Sequence, residues 1–428
     1  MSISQSTHFV ISQLSITSRD GSVEYDIRGV FEELNIHDNI MFPCMSGSVL
    51  ITDAVGLTSK IKFDGSEYLS IKIQKDPNDP TLMWIDKKFI IYKQTNRSRL
   101  NQASEMYVLN FVSEEFILSE QKKVRQIYNK TRSDAISNIL SDYLHVDSNK
   151  GFIEQTSGIH DDITPNLSPL DTIERITKRS VSYEGLPDYL FWQTQVGFNF
   201  ASLSTIVKQP PIITIETGAK NLAEQNISDD IYGARDIKVI SQFDMAENIQ
   251  SGAYAGKFIG YDILNRKIMV KEISGKNTLA QGGSANPNRI NSSILNEDNK
   301  TLDTMFDSRV VVYPFQESRK TTPWFQKNDP NSLTKLEDTH QYMIQRQAIL
   351  QNFMQKRLRI TMSGNFRLWS GENVQVNVPS FTGESNPELG GDKSLTGKYT
   401  IIGTRHIIRF DKHETIIEVA TDSTNLGT

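Results

Sequence analysis

At roughly 100 to 200 residues per domain, a chain of 428 residues is too long for one core and predicts two to four domains. Apolar residues make up 37% and no apolar run approaches the ~18 to 20 residues of a membrane-spanning helix, which excludes a helical membrane protein and predicts no membrane insertion. The single cysteine, Cys44, excludes an internal disulfide and a cysteine-based zinc cluster, and 46 basic against 51 acidic residues, net −5, argue against a dedicated nucleic-acid binder.

In chain order, the start from Met1 to Ser12 lacks the basic and apolar segments of a secretory signal, so assembly in the cytoplasm is expected. The first ~120 residues alternate apolar and polar positions between turn signals such as Asp20-Gly21, Asp64-Gly65 and Asp76-Pro77, which predicts an antiparallel β region. Helical spacing then takes over. Ile136, Ile139, Leu140, Tyr143 and Leu144 form one apolar stripe behind the caps Thr131 and Ser133, and a second helix is predicted to start at Ser168, with Pro169 at its first position and Asp171 completing a capping box. Residues 189–206 return to strand chemistry and read as an aromatic hairpin around Gly197. Residues 274–300, rich in Gly, Ser and Asn, read as a long exposed loop; a helix follows near 336–356, and the last ~70 residues resume strand alternation.

The β regions at the two ends echo each other. Gly65-Ser66-Glu67 leads into Tyr68 to Ile71 as Gly371-Glu372 leads into Asn373 to Val376, and the strand at Phe89 is like the strand at Tyr399. Met106 to Ser113 resembles Ile416 to Ser423, and Phe89 to Leu109 spans the same 20 positions as Tyr399 to Val419. Either any two hairpins share such patterns, or one chain holds two similar barrels built around Gly65, Glu67, Phe89 and Gly371, Glu372, Tyr399. In the second case a cyclic trimer would place six near-equivalent barrels in a ring.

Chemistry is harder to find. His160-Asp161-Asp162 is the best group for a metal or a base, but lies in a polar stretch that reads as a solvated loop. His406 and His413 read as packed histidines, and the acid pairs Glu32-Glu33, Glu114-Glu115 and Asp229-Asp230 as surface charge. Nucleophile-elbow and phosphate-loop motifs are absent, so no catalytic residue, metal or cofactor is assigned. The alternatives kept are a β-scaffold hydrolase, metal- or carbohydrate-related, resting on His160-Asp161-Asp162, and a type VI secretion spike hub.

Four ordered segments carry a resemblance: Phe42-Pro43 through Gly56-Leu57; Ser168-Pro169-Leu170-Asp171 through Arg179; Tyr189-Leu190-Phe191-Trp192 with Gly197 to Phe200; and Gly371-Glu372 with Leu395 to Ile401, ending in Thr421-Asp422-Ser423. In these the chain resembles the baseplate hub proteins of contractile-tailed phages of the T-even type, related to the hub part of type VI secretion spikes. The resemblance implies a mainly β, α+β fold with two tail-tube-like antiparallel β-barrels per chain, flanking helices and a smaller inserted domain. It implies a first barrel from 1–118 plus part of 207–250, and helices and a hairpin from 119–206 that contribute to the second barrel. An inserted region follows at 251–355, with the rest of the second barrel at 356–428. It further implies a non-enzymatic homotrimer in the virion baseplate, joining a hexameric tail tube to a trimeric spike. Tape-measure and baseplate wedge proteins would be neighbours, and genomic DNA would cross a neutral or acidic lumen without specific binding.

Overall fold

The computed structural model describes residues 9–61, 63–74, 84–147, 150–217, 233–262, 266–289, 300–315, 341–379 and 392–425. The early alternation becomes seven strands: β1 (Val10–Thr17), β2 (Glu24–Asp26), β3 (Phe31–Asn39), β4 (Ser46–Asp53), β5 (Tyr68–Gln74), β6 (Trp84–Arg99) and β7 (Glu105–Ser113), with helix α1 (Leu57–Lys60) before β5. Their order is β2-β1-β5-β6-β7-β4-β3. In β5, Leu69, Ile71 and Ile73 are buried and their neighbours are not, the period of two that a sheet with one inward face requires. They share a core with Leu14, Leu34, Val49, Phe89 and Phe111, so the sheet curls around its own apolar face. Burying each such side chain contributes roughly 1.5 to 3 kcal/mol.

The middle of the chain holds α2 (Glu114–Gln121), β8 (Ile127–Lys130), α3 (Arg132–Leu144), β9 (Gly151–Ile153), β10 (His160–Ile163), α4 (Pro169–Arg179), β11 (Tyr189–Gln193), β12 (Phe198–Ser202) and α5 (Leu203–Lys208). Two of the expected caps act as their chemistry predicts, Thr131 Oγ1 accepting from the Asp134 N–H and Ser168 Oγ from the Asp171 N–H, both at 3.2 Å, whereas Ser133 lies inside α3 and donates its hydroxyl to Gln155 Oε1 at 2.9 Å. The aromatic hairpin forms, with Tyr189 stacked on Phe200 and Phe191 on Phe198 at 4.5 and 5.3 Å.

The remainder comprises β13 (Ile213–Thr217), β14 (Gly233–Ser241), α6 (Met245–Ser251), β15 (Ala255–Asp262), β16 (Lys267–Ser274), α7 (Gly275–Gly282), β17 (Asn288–Arg289), β18 (Val310–Phe315), α8 (Arg346–Phe353), β19 (Lys356–Ser363), β20 (Asn373–Asn377), β21 (Gly397–Arg409), β22 (His413–Thr421) and β23 (Ser423–Thr424). Six of these close a barrel in the order β21-β20-β13-β14-β19-β22, with β22 returning to β21. Its core includes Ile215, Leu358, Ile360, Val374, Tyr399 and Val419. Between β14 and β19 sits a separate sheet of order β16-β15-β18. Among the described residues no helix is long and apolar enough to cross a membrane.

Three sequence expectations need correction. The strands of 207–250 belong to the second barrel, not the first, because β13 pairs with β20 and β14 with β19. The hairpin of 119–206 joins neither barrel ladder; it pairs with β9, and Leu190 and Trp192 reach the second barrel only as side chains packed with Ile402 and Ala420. Residues 274–300 are not one exposed loop. α7 and β17 form there because polar side chains are satisfied internally: buried Asn286 donates to the Lys398 carbonyl at 3.0 Å and accepts from the Lys398 N–H at 2.8 Å. Residues 290–299, Asp76 to Pro80 and Asp229-Asp230 lie outside the described residues. Of the helix expected near 336–356, the described part is a π turn at Gln341–Gln345 followed by α8.

Candidate functional site: the seam between two β units

The echoed residues occupy matching places. Gly65 and Gly371 both turn the chain at positive φ, 89° and 92°, where a residue without Cβ is favoured. Just after them the carbonyls of Glu67 and Glu372 accept the N–H groups of Ile91 and Ile401, at 2.9 and 2.8 Å. Phe89 lies opposite Leu69, and Tyr399 opposite Val374, each fully buried in its own core. The glutamate side chains differ: the Glu67 carboxylate accepts from the Asp64 and Gly65 N–H groups, whereas burial raises the pKa of Glu372.

The correspondence extends to irregularities. β6 has a bulge against β7 between Ile91 and Lys93, and β21 has one against β22 between Ile401 and Gly403. β3 is irregular between Phe31 and Glu33, β14 between Ala234 and Asp236. A bulge inserts one residue into one strand, so its position is a register mark independent of hydrophobic pattern. Aligned on these marks, the order β1-β5-β6-β7-β4-β3 of the first unit matches β13-β20-β21-β22-β19-β14 of the second. The first strands differ: β1 runs antiparallel to β5, while β13 runs parallel to β20 and, through Glu216 and Thr217, closes the second barrel onto β14. The register also corrects the spacing read from sequence. Ile91 faces Phe111 as Ile401 faces Val419, so the partner of Val419 is Phe111 rather than Leu109, and the segment matching Met106 to Ser113 is Glu414 to Thr421.

A third ladder joins the units. The second half of β21, from Gly403 to Arg409, pairs antiparallel with β3, from Asn39 to Glu33. Arg405 donates to Asn35 Oδ1 at 2.9 and 2.8 Å, and Arg409 Nε donates to Glu33 at 2.9 Å. Beneath the seam Asp38, fully buried, accepts from the N–H and hydroxyl of Ser370, both at 2.6 Å; burial still lifts its pKa to about 7 against those hydrogen bonds. His406, wholly buried 3.3 Å from His413, is pushed by burial down to about 3, and packs near Phe366 and Trp369 as a core residue. Sequence reading missed Asp38 because an Asp in a strand carries no signal of its burial.

His160-Asp161-Asp162 is not a solvated loop. These residues form β10, paired with β8, and His160 and Asp162 are buried. Asp162 lies 3.0 Å from the Nε of Arg132, also buried, so this carboxylate balances a cation. Among the described residues no group of three His, Cys, Asp or Glu side chains is placed to hold a metal.

No family model matches this sequence. A probable baseplate hub protein, gp334 of Vibrio phage KVP40, is 22% identical over 432 residues, covering 97% of this chain and 95% of the relative. Two solved structures share the fold over nearly their whole length. A tail protein from Neisseria meningitidis MC58 is 14% identical with a TM-score of 0.52, covering 96% of this chain and 97% of that one. The 43 kDa tail protein of prophage MuSo2 from Shewanella oneidensis is 10% identical with a TM-score of 0.50, covering 95% and 97%. This chain is thus similar in sequence, over 97% of its length, to a probable phage baseplate hub protein, and in fold to bacterial and prophage tail proteins.

Proposed function

We propose that this protein is a structural hub of a phage tail baseplate, in which three copies form a ring of six barrel-like units. The ring would present near-sixfold symmetry to a hexameric tail tube and threefold symmetry to a trimeric spike, with the genome crossing its centre. The observation that carries this reading is the repetition within one chain of a strand order together with its bulges. Two related units per chain are what a threefold assembly needs to meet a sixfold one. The role is joining and passage, and it calls for large permanent interfaces of ~2,000 Å² or more. Tape-measure and baseplate wedge proteins would be further neighbours, within a virion assembled in the host cytoplasm. DNA that must slide through favours a channel wall without rows of Lys or Arg.

The test is light scattering and negative-stain imaging of the full chain, alone and with a candidate spike protein. Threefold rings with a central opening are expected. A species that stays monomeric under both conditions rules the reading out.

A further inference from the structure

The seam within the chain uses one edge of each unit: β3 from the first and the second half of β21 from the second. By the bulge alignment, β6 corresponds to β21 and β14 to β3. Two edges are therefore left over, one of each kind. On β6 the ladder with β5 ends at Ile90, apart from the bond from Ile91 to Glu67, so among the described residues 93–99 are paired on the β7 side alone. On β14 the ladder with β13 takes only Gly233 and Ala234, so among the described residues 236–241 are paired with β19 alone.

Both edges are dressed unlike ordinary solvent-facing strands. Val239 and Ile240, at the second irregularity of β14 against β19, are 46% and 39% exposed, and Phe243 beyond them is 72% exposed. Tyr92 and Leu100 flank the β6 edge at 48% and 51%. In the seam already formed, the residues aligned with Val239 and Tyr92 are buried: Ile36 at 0% and Ile402 at 4%. Long edges with exposed apolar side chains are strand-pairing surfaces.

Resting on the trimer reading, we propose that the β6 edge of one copy, residues 93–99, pairs antiparallel with the β14 edge of the next, residues 236–241. This would repeat between copies the ladder that β21 and β3 make within one. The contact joins unlike edges, so it is head-to-tail and generates a ring when the rotation closes. Its register follows from the seam. Leu34 opposite Ile408 maps to Ile237 opposite Arg99, and Asn35 opposite Ile407 maps to Lys238 opposite Ser98. Asp236 then falls opposite Leu100, at the place where Glu33 meets Arg409 within the chain.

The test uses the full chain, alone and with a candidate spike, carrying Arg99→Cys with Ile237→Cys, against an out-of-register pair, Arg99→Cys with Ile240→Cys. Oxidation of the first is expected to give a covalent trimer on a non-reducing gel in roughly tenfold greater yield, since disulfides demand close Cα positions. Val239→Asp with Ile240→Asp is expected to abolish the trimer in light scattering while leaving the melting temperature of the monomer unchanged, both side chains being exposed within one chain. Trimers that form but neither cross-link in register nor respond to the Asp pair overturn this pairing and leave the trimer standing. A chain that stays monomeric throughout overturns both.

Discussion

Gly65 and Gly371 share a backbone conformation but not a neighbourhood. A Cβ on Gly65 would meet nothing nearer than the Tyr92 carbonyl at 3.6 Å, whereas one on Gly371 would fall 2.4 Å from the Trp192 indole. Positive φ alone costs a residue with a side chain roughly 1 to 2 kcal/mol, so Gly65→Ala is expected to lose about that much and Gly371→Ala roughly 3 kcal/mol or more. Equal losses in urea unfolding would show that Trp192 yields. At the seam the charge states of buried groups set a pH dependence. His406 is held down to about 3, and His37 to about 4, first by burial and then by Arg405 beside it. Their contribution is fully present above the usual histidine value of 6.5 and is lost as pH falls toward those values. Asp38, raised to about 7, contributes below the usual 3.8, and that contribution is lost as pH rises through 7. Asp188, raised by burial to about 6, opposes the histidines over the same range as Asp38 does, so the four groups nearly cancel. His406→Leu removes one of the two losses: relative to wild type the variant is expected to gain about 1.4 kcal/mol of stability per pH unit on acidification between pH 6.5 and 4.5 in denaturant unfolding. A variant with the same pH dependence as the wild type would refute the assignment.

Among the elements, helices were the most legible in the sequence, because capping is local: Thr131, Ser168 and Pro169 act within one turn of their own positions. Strands were legible as strands but not as partners. The 20-position spacing misaligned the echo by two residues because β6 carries an extra residue at the Asn96 bulge, where φ is 54°, and the turn after Arg99 is one residue longer than the one after Ile408. β10 shows the same limit. Its acids suggested a wet loop, yet pairing with β8 brings Asp162 against Arg132. Asp162→Ala is therefore expected to cost roughly 3 kcal/mol by removing a buried carboxylate that pairs with the buried Arg132. Thermal melting measures that loss, and elemental analysis of the wild-type chain supplies the contrast: an unchanged melting point together with bound metal released by the substitution would restore the ligand reading.

For the whole molecule, the likeness to phage hub and tail proteins concerns an architecture, and the proposed trimer is the assembly in which that architecture would act. Each chain makes one seam between its two units, and among the described residues one edge of each kind has no strand beside it. The light-scattering and cross-linking outcomes stated above decide whether those edges meet in a ring. The inserted sheet between β14 and β19 has no counterpart in the first unit, where β3 and β4 are joined by the short segment 40–45. A long insertion at a strand connection costs little, because closure entropy grows only with the logarithm of loop length.

By itself the sequence determined the β character of both ends, the two capped helices, the aromatic hairpin and the recurrence of a glycine and acid turn before an alternating strand. Each of these rests on interactions spanning a few residues, which composition and spacing encode directly. Tertiary structure alone decided that β13 and β14 serve the second barrel, that Asp38 and Asp162 are buried, and that β21 is shared between the units. Those outcomes depend on pairings between residues hundreds of positions apart, such as Arg409 with Glu33, and a strand's own residues specify its faces but not the strand that will lie beside it.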